Sequence, residues 1–245
     1  MLDFFQLVLV ISSFLFAHLL NYLSYFARIA GKKLKYPLLG TSLGGIFIGG
    51  SSVSLLIFIP SVSFLIETST LDVKIYFKLF SLIFFFTALS IYLAFLKRNF
   101  IITIMSKILY CHVNKRINIL LSCLNFWIYD DIKMKKIKSS YKLEYHNKMI
   151  ITSTIAYIMI SGGYFIAFYL AINFIEYRLT ISSVALVIHS IGSILLLTII
   201  DPKLNSHIDK MSISTSWGVI NSFFISRFIS LMILFLFTVI CLALI

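Results

Sequence analysis

The sequence predicts an all-α polytopic membrane protein of six transmembrane helices with cytoplasmic interfacial amphipathic helices. Three observations carry that prediction. Hydrophobic residues make up 60% of the 245 and charged ones only 12%, whereas soluble domains run near 25% charged. The apolar stretches are long enough to span a bilayer, which takes about 20 residues. Finally, the basic residues collect in alternate connections. An outer-membrane barrel is excluded, because it would need short alternating strands and the polar residues are too unevenly spread.

The spans follow from the charge-free runs: about 4–27, 36–66, 79–96, 149–175, 179–200 and 213–245, the last interrupted only by Arg227. They form one membrane domain. The first begins after Asp3 in MLDFFQ, which has an acid and no basic leader, so it is expected to be retained rather than cleaved. Lys and Arg number four from Arg28 to Lys35, two from Glu67 to Lys78, eleven from Lys97 to Lys148, one from Glu176 to Arg178 and two from Asp201 to Lys210. The positive-inside rule then puts the first, third and fifth connections in the cytoplasm and both termini outside.

The connection over 97–148 is basic and carries two apolar patches, NFIITIMS (99–106) and INILLSCLNFWIY (117–129). Interfacial helices held on the inner leaflet by anionic lipid are expected there. The net charge of +12 thus speaks of topology and lipid rather than of nucleic acid. Three scattered cysteines, with no CxxC and no Cys/His cluster, indicate neither a disulfide framework nor a metal site. No cofactor is implied.

Polar residues recur at helical spacing inside the spans. His18, Asn21, Tyr25, Arg28 and Lys32 fall on one face of the first, at intervals of three and four. Thr154, Tyr157, Ser161 and Tyr164 do so in the fourth, and Ser182, His189 and Ser193 share one side of the fifth. Arg227 lies well inside the sixth. Hydroxyl rows alone often just knit helices together. An arginine within a span usually pairs or lines a wet cavity, and no acid occurs within any predicted span. The rows therefore predict a polar cavity for an anionic group, a phosphate above all. Arg28, Lys32, Lys33 and Arg227 would meet the anion; His18, Asn21, Tyr25, Tyr157, Ser182, His189 and Ser193 would line the rest.

LGTSLGGIFIGGSS (39–52) in the second span places Gly44, Gly45 and Gly49 where they can serve close helix packing or a hinge. The same faces would also permit pairing of two copies. After the fifth span, TIIDPKLNSHIDK (198–210) predicts a short interfacial helix from Pro202 to about Met211. Asp201 is its N-cap and Pro202 its first residue, with His207 and Asp209 available as polar contacts. A pairing of Asp201 with Arg28 is the alternative. Serines beside glycines, as in SGG at 161–163, raise an intramembrane serine enzyme, but GxSxG and HExxH are both missing.

Two of these stretches carry a resemblance. LSYFARIAG (23–31) and EYRLTISSVALVIHSIGSILLLTIIDP (176–202), with Asp209 and SRF (226–228), resemble the Amj family of alternate lipid II flippases of bacterial peptidoglycan synthesis. The likeness runs in order over most of the chain and is weakest over 97–148. Ser24, Tyr25, Arg28, Gly31, Tyr177, Arg178, Thr180, Ser182, Asp201, Pro202 and Arg227 match. The chain departs from the family pattern at Asn21, usually acidic, at His189, usually Asn, and before Pro60, where Ser52, Leu55 and Phe58 replace an Arg and amides. The resemblance implies a divergent flippase of the bacterial inner membrane. It would carry an undecaprenyl-pyrophosphate-linked precursor and work beside cell-wall synthases. A non-transporting protein that docks such a synthase through the basic loop is the alternative, and an intramembrane enzyme a third reading.

Overall fold

The computed structural model describes residues 4–68, 71–115, 147–210 and 213–245, except the side chains at 115, 175, 178, 179, 182, 207–210, 213–217, 219 and 220. The second apolar patch with Trp127 and Tyr129, the run KMKKIK, and the side chains of Ser182, His207 and Asp209 thus lie outside what is described. All described regular elements are helical: α1 (Phe4–Lys33), α2 (Pro37–Glu67), α3 (Val73–Leu96), α4 (Arg98–Lys115), α5 (Asn147–Asn173), α6 (Arg178–Leu195), α7 (Asp201–Lys210) and α8 (Ile213–Leu244). Among the described residues, six helices are long and apolar enough to cross a membrane, so the chain is a multi-pass membrane protein.

Charge-free runs misplace some ends. The third span starts at Val73 rather than at residue 79, because Lys74 and Lys78 are exposed and can extend their ammonium groups toward the interface. Asp72 caps α3, its Oδ1 accepting the Ile75 N–H at 2.6 Å. The first helix continues past residue 27 to Lys33. There the Tyr36 N–H bonds the Gly31 carbonyl at 2.8 Å and the Lys35 N–H that of Lys32 at 3.0 Å, with Lys35 at φ 66°. This is a Schellman turn with lysine in the left-handed position that glycine favours. Lys35→Gly is expected to stabilise the protein by about 1 kcal/mol, visible as a small rise in unfolding temperature. Pro37 then opens α2, and α2 runs unbroken through Pro60.

The helices associate as pairs: α1 on α2, α5 on α6 and α3 on α8, with α1 and α5 as the central members. Gly31 and Gly40 make the α1–α2 contact, since a Cβ on Gly31 would sit 2.5 Å from the Gly40 Cα. On α2, Gly44 also packs, facing the Ser24 carbonyl. Gly45 and Gly49 do not: nothing lies within 4 Å of where their Cβ atoms would be. The packing expected of them belongs to Gly40 and Gly44, which lie on the opposite flank of the helix.

The first apolar patch of the basic connection is α4, and it joins the bundle. Ile102, Met105, Ser106 and Leu109 are buried at three- and four-residue spacing, and α4 packs chiefly on α1. Only its outer side, with Phe100 and Tyr110, is left to lipid.

An aromatic layer crosses the bundle at the level of the first half of α1. Phe14, Phe58, Tyr76, Phe80, Phe84, Tyr164, Phe165 and Phe168 come from four helices, with ring centroids 4.6–6.4 Å apart. The Tyr76 hydroxyl donates to the Phe165 carbonyl. On the other side of this layer, toward the Lys33 end of α1, the core turns polar.

Candidate functional site

The polar rows of α1 and α6 meet in one cavity of about 190 Å³. From α1 come His18, Asn21, Ser24, Tyr25 and Arg28; from α6, His189 and Ser193; from α8, Arg227. Ser51 and Ser52 of α2 and Asp201 complete the polar lining. His18 rests on Phe14 of the aromatic layer at 4.3 Å between centroids, so that layer forms the floor.

Arg227 is 2% exposed. Its Nη1 donates to the His18 carbonyl at 3.2 Å and its Nη2 to the Asn21 Oδ1 at 3.1 Å. Its guanidinium carbon lies 4.3 Å from the Tyr157 ring centroid. Tyr157 therefore supports the cavity from behind rather than lining it, and its hydroxyl reaches that of Tyr25 at 3.3 Å. No described carboxylate pairs with Arg227, and its Nε is buried without a partner. Neutral dipoles and a π face hold the cation in place, which leaves its charge uncompensated.

Arg28 is differently served. Its Nη2 lies 3.5 Å from the Asp201 Oδ2, and its Nη1 donates to the Asn205 Oδ1 at 2.9 Å. Asn21 and Arg28 are seven residues apart, so the two guanidiniums stand roughly 10 Å apart along α1 at 1.5 Å per residue. Two guanidiniums against one carboxylate leave an excess of positive charge in the cavity.

Asp201 is not an N-cap. Its backbone is helical (φ −59°, ψ −41°) and the chain passes without a break from α6 through a π turn at Leu196–Ile200 into α7. The physical reason is Pro202. Its ring clashes with an α-helical carbonyl four residues back and its nitrogen cannot donate, so the wider turn accommodates a proline inside a continuing helix. That places Asp201 beside Arg28, the alternative pairing expected of it, and Asn205 one turn on. The sequence reading missed Asn205, since nothing at 205 signals a partner 177 positions away.

Other expected members fall outside. Lys32 and Lys33 lie beyond the cavity lining, at the end of α1, where the helix has passed the level of Arg28. In the SGG stretch, the Ser161 hydroxyl comes within 3.5 Å of the His18 Nε2, but the His18 Nδ1 has no partner. Among the described residues none bonds the His18 Nδ1 to orient that ring as a general base, and Ser161 is buried outside the cavity lining. The His189 Nδ1 faces the Ile160 carbonyl at 3.4 Å, which is α5–α6 packing as much as lining. Comparison with family models, curated proteins and solved structures returned no match.

Proposed function

We propose that this chain is a flippase-like transporter that moves a polyprenyl-pyrophosphate-linked cell-wall precursor, lipid II first, from the cytoplasmic to the outer leaflet of a bacterial inner membrane. The observation that carries the proposal is Arg227, a buried guanidinium without a carboxylate partner among the described residues, in a cavity that holds a second arginine. A phosphate group satisfies both the charge and the fork geometry. The resemblance to the Amj family supports it, because Tyr25, Arg28, Asp201 and Arg227 are among its matching residues and all four line this cavity.

On this reading the basic connections face the cytoplasm and both termini lie outside. The cavity then lies in the inner half of the bundle, and the aromatic layer closes the outer half. Its volume bounds what it can take. About 190 Å³ is below the 300–1,000 Å³ of ordinary ligand pockets, and holds roughly six waters' worth of liquid. A diphosphate matches that volume, and the larger sugars of the head group stay outside it. Arg28 meets the anion first and Arg227 holds it deeper.

Asp201 and Asn205 engage Arg28, so a phosphate that binds Arg28 competes with them. Asp201→Asn is expected to tighten pyrophosphate binding several-fold by removing a competing anion, while Arg28→Ala weakens it. Calorimetry on the purified protein reads both signs. Reconstitution into vesicles with fluorescent lipid II tests the function itself. Translocation no faster than in protein-free vesicles would overturn the proposal.

A further inference from the structure

We infer that the seam between α2 and α6 is a binding site for a single hydrocarbon chain, the isoprenoid tail of the lipid whose phosphate the cavity receives. This rests on the phosphate reading of the cavity and extends it to the part of the ligand that never leaves the membrane.

The helix pairs create the seam. α1 packs on α2 and α5 on α6, but α2 and α6 scarcely touch each other. The cavity nonetheless has walls from both: Ile48, Ser52 and Leu55 on one side, Ser193 and Leu197 on the other. Ile48 is 37% exposed and Leu197 64%. In a membrane protein such exposure within a span means contact with lipid, so the cavity opens sideways into the bilayer.

The two lips differ in chemistry. Around α2, successive residues turn by 100°, which sets Gly45 and Gly49 next to Ile48 and Ser52 on the lipid side. Open space surrounds the position of a Cβ at both. At these two positions the lip is bare backbone, a short trough between the exposed side chains of Ile48 and Leu56. The facing lip carries branched apolar side chains, Leu197 and, one turn back, Ile194, 57% exposed. A trough of glycine opposite a ridge of leucine and isoleucine suits a slender, methyl-studded chain.

Glycines alone would prove nothing, since bare strips on spans are common. The second observation is polar. The cavity behind the seam is lined by Arg227, a buried guanidinium with no carboxylate partner among the described residues, and it holds an excess of positive charge. One amphiphile, anionic at one end and apolar along the other, matches both halves.

The test separates the two halves. Gly45→Trp and Gly49→Trp place an indole in the trough at positions that do not line the cavity and where a Cβ starts in open space. Tryptophan is no worse than glycine in a helix. Purified variants in lipid nanodiscs are titrated with undecaprenyl pyrophosphate and, separately, with inorganic pyrophosphate. Leu82→Trp, on the lipid face of α3, is the control.

Both glycine variants should bind undecaprenyl pyrophosphate about tenfold more weakly, as losing contact with roughly two methylenes suffices for that. Their affinity for inorganic pyrophosphate should stay that of the unaltered protein, as should their unfolding temperatures and both affinities of Leu82→Trp. Unchanged affinity of the glycine variants for the long-chain probe would overturn the inference and leave the phosphate reading standing. An equal loss for both probes would also overturn it, because the glycines would then act on the phosphate site. Failure of the unaltered protein to bind either probe would instead remove the phosphate reading, and the inference with it.

Discussion

Arg227→Met is expected to abolish translocation while leaving the bundle folded. The methionine fills a comparable volume and removes a charge whose insertion costs roughly 2.5–3.5 kcal/mol. What it strands is modest: the His18 carbonyl lies within a helix, and the Asn21 amide lines the cavity. Exchanging a buried charge for a packed apolar side chain is often neutral or stabilising, so the unfolding temperature should hold or rise. Translocation should fall by about 100-fold, the value of a charge-assisted hydrogen bond lost where the anion rests. Vesicle transport and thermal unfolding on the same preparation decide between roles. Loss of both would make Arg227 a structural residue, and retained transport would remove it from the substrate path.

The largest effect on stability should come from Gly31→Ala. One methyl group there meets the Gly40 Cα at 2.5 Å, the Gly40 nitrogen at 2.7 Å and the Tyr36 carbonyl at 2.8 Å. All three are backbone atoms, and the Schellman turn between the helices fixes their separation. No rotamer change relieves the contact, so α1 and α2 must part, at about 3 kcal/mol or more. The contrast lies on the same helix. Gly45→Ala meets open space and should stabilise by about 0.5–1 kcal/mol through helix propensity. Unfolding temperatures in detergent would show the two alanines moving in opposite directions. A Gly31→Ala protein as stable as the original would mean that the α1–α2 contact is looser than described.

These two predictions also mark how far the sequence could be read. The spans were legible because hydrocarbon forbids charge, and the error at the third arose where Lys74 and Lys78 reach out of a helix that continues beneath them. His18 to Arg28 on α1, and His189 with Ser193 on α6, were legible because a spacing of three and four fixes a face whatever the neighbours are. Which glycines pack was not legible. Gly44 and Gly45 are adjacent in sequence, yet one faces Ser24 and the other faces lipid; only the partner helix distinguishes them. Asp201 was misread for a related reason. The chain continues helically where a proline suggests a fresh start, and the arginine that explains the acid lies 173 positions earlier. Long-range pairings of this kind leave no local trace.

The aromatic layer has an electrical consequence. If water from the cytoplasmic side reaches it, a cavity lined by arginines, serines and the Asn21 amide carries the potential of that side inward, whereas a stack of eight rings from four helices does not. With the proposed topology, most of the voltage across the membrane falls over the thickness of that stack. An anion moving outward gains about 2.3 kcal/mol per charge for each 100 mV of inside-negative potential. It gains nearly all of it in the short step past Phe14 and Phe58. A resting potential would therefore drive a pyrophosphate outward most strongly at the one barrier the fold places in its way.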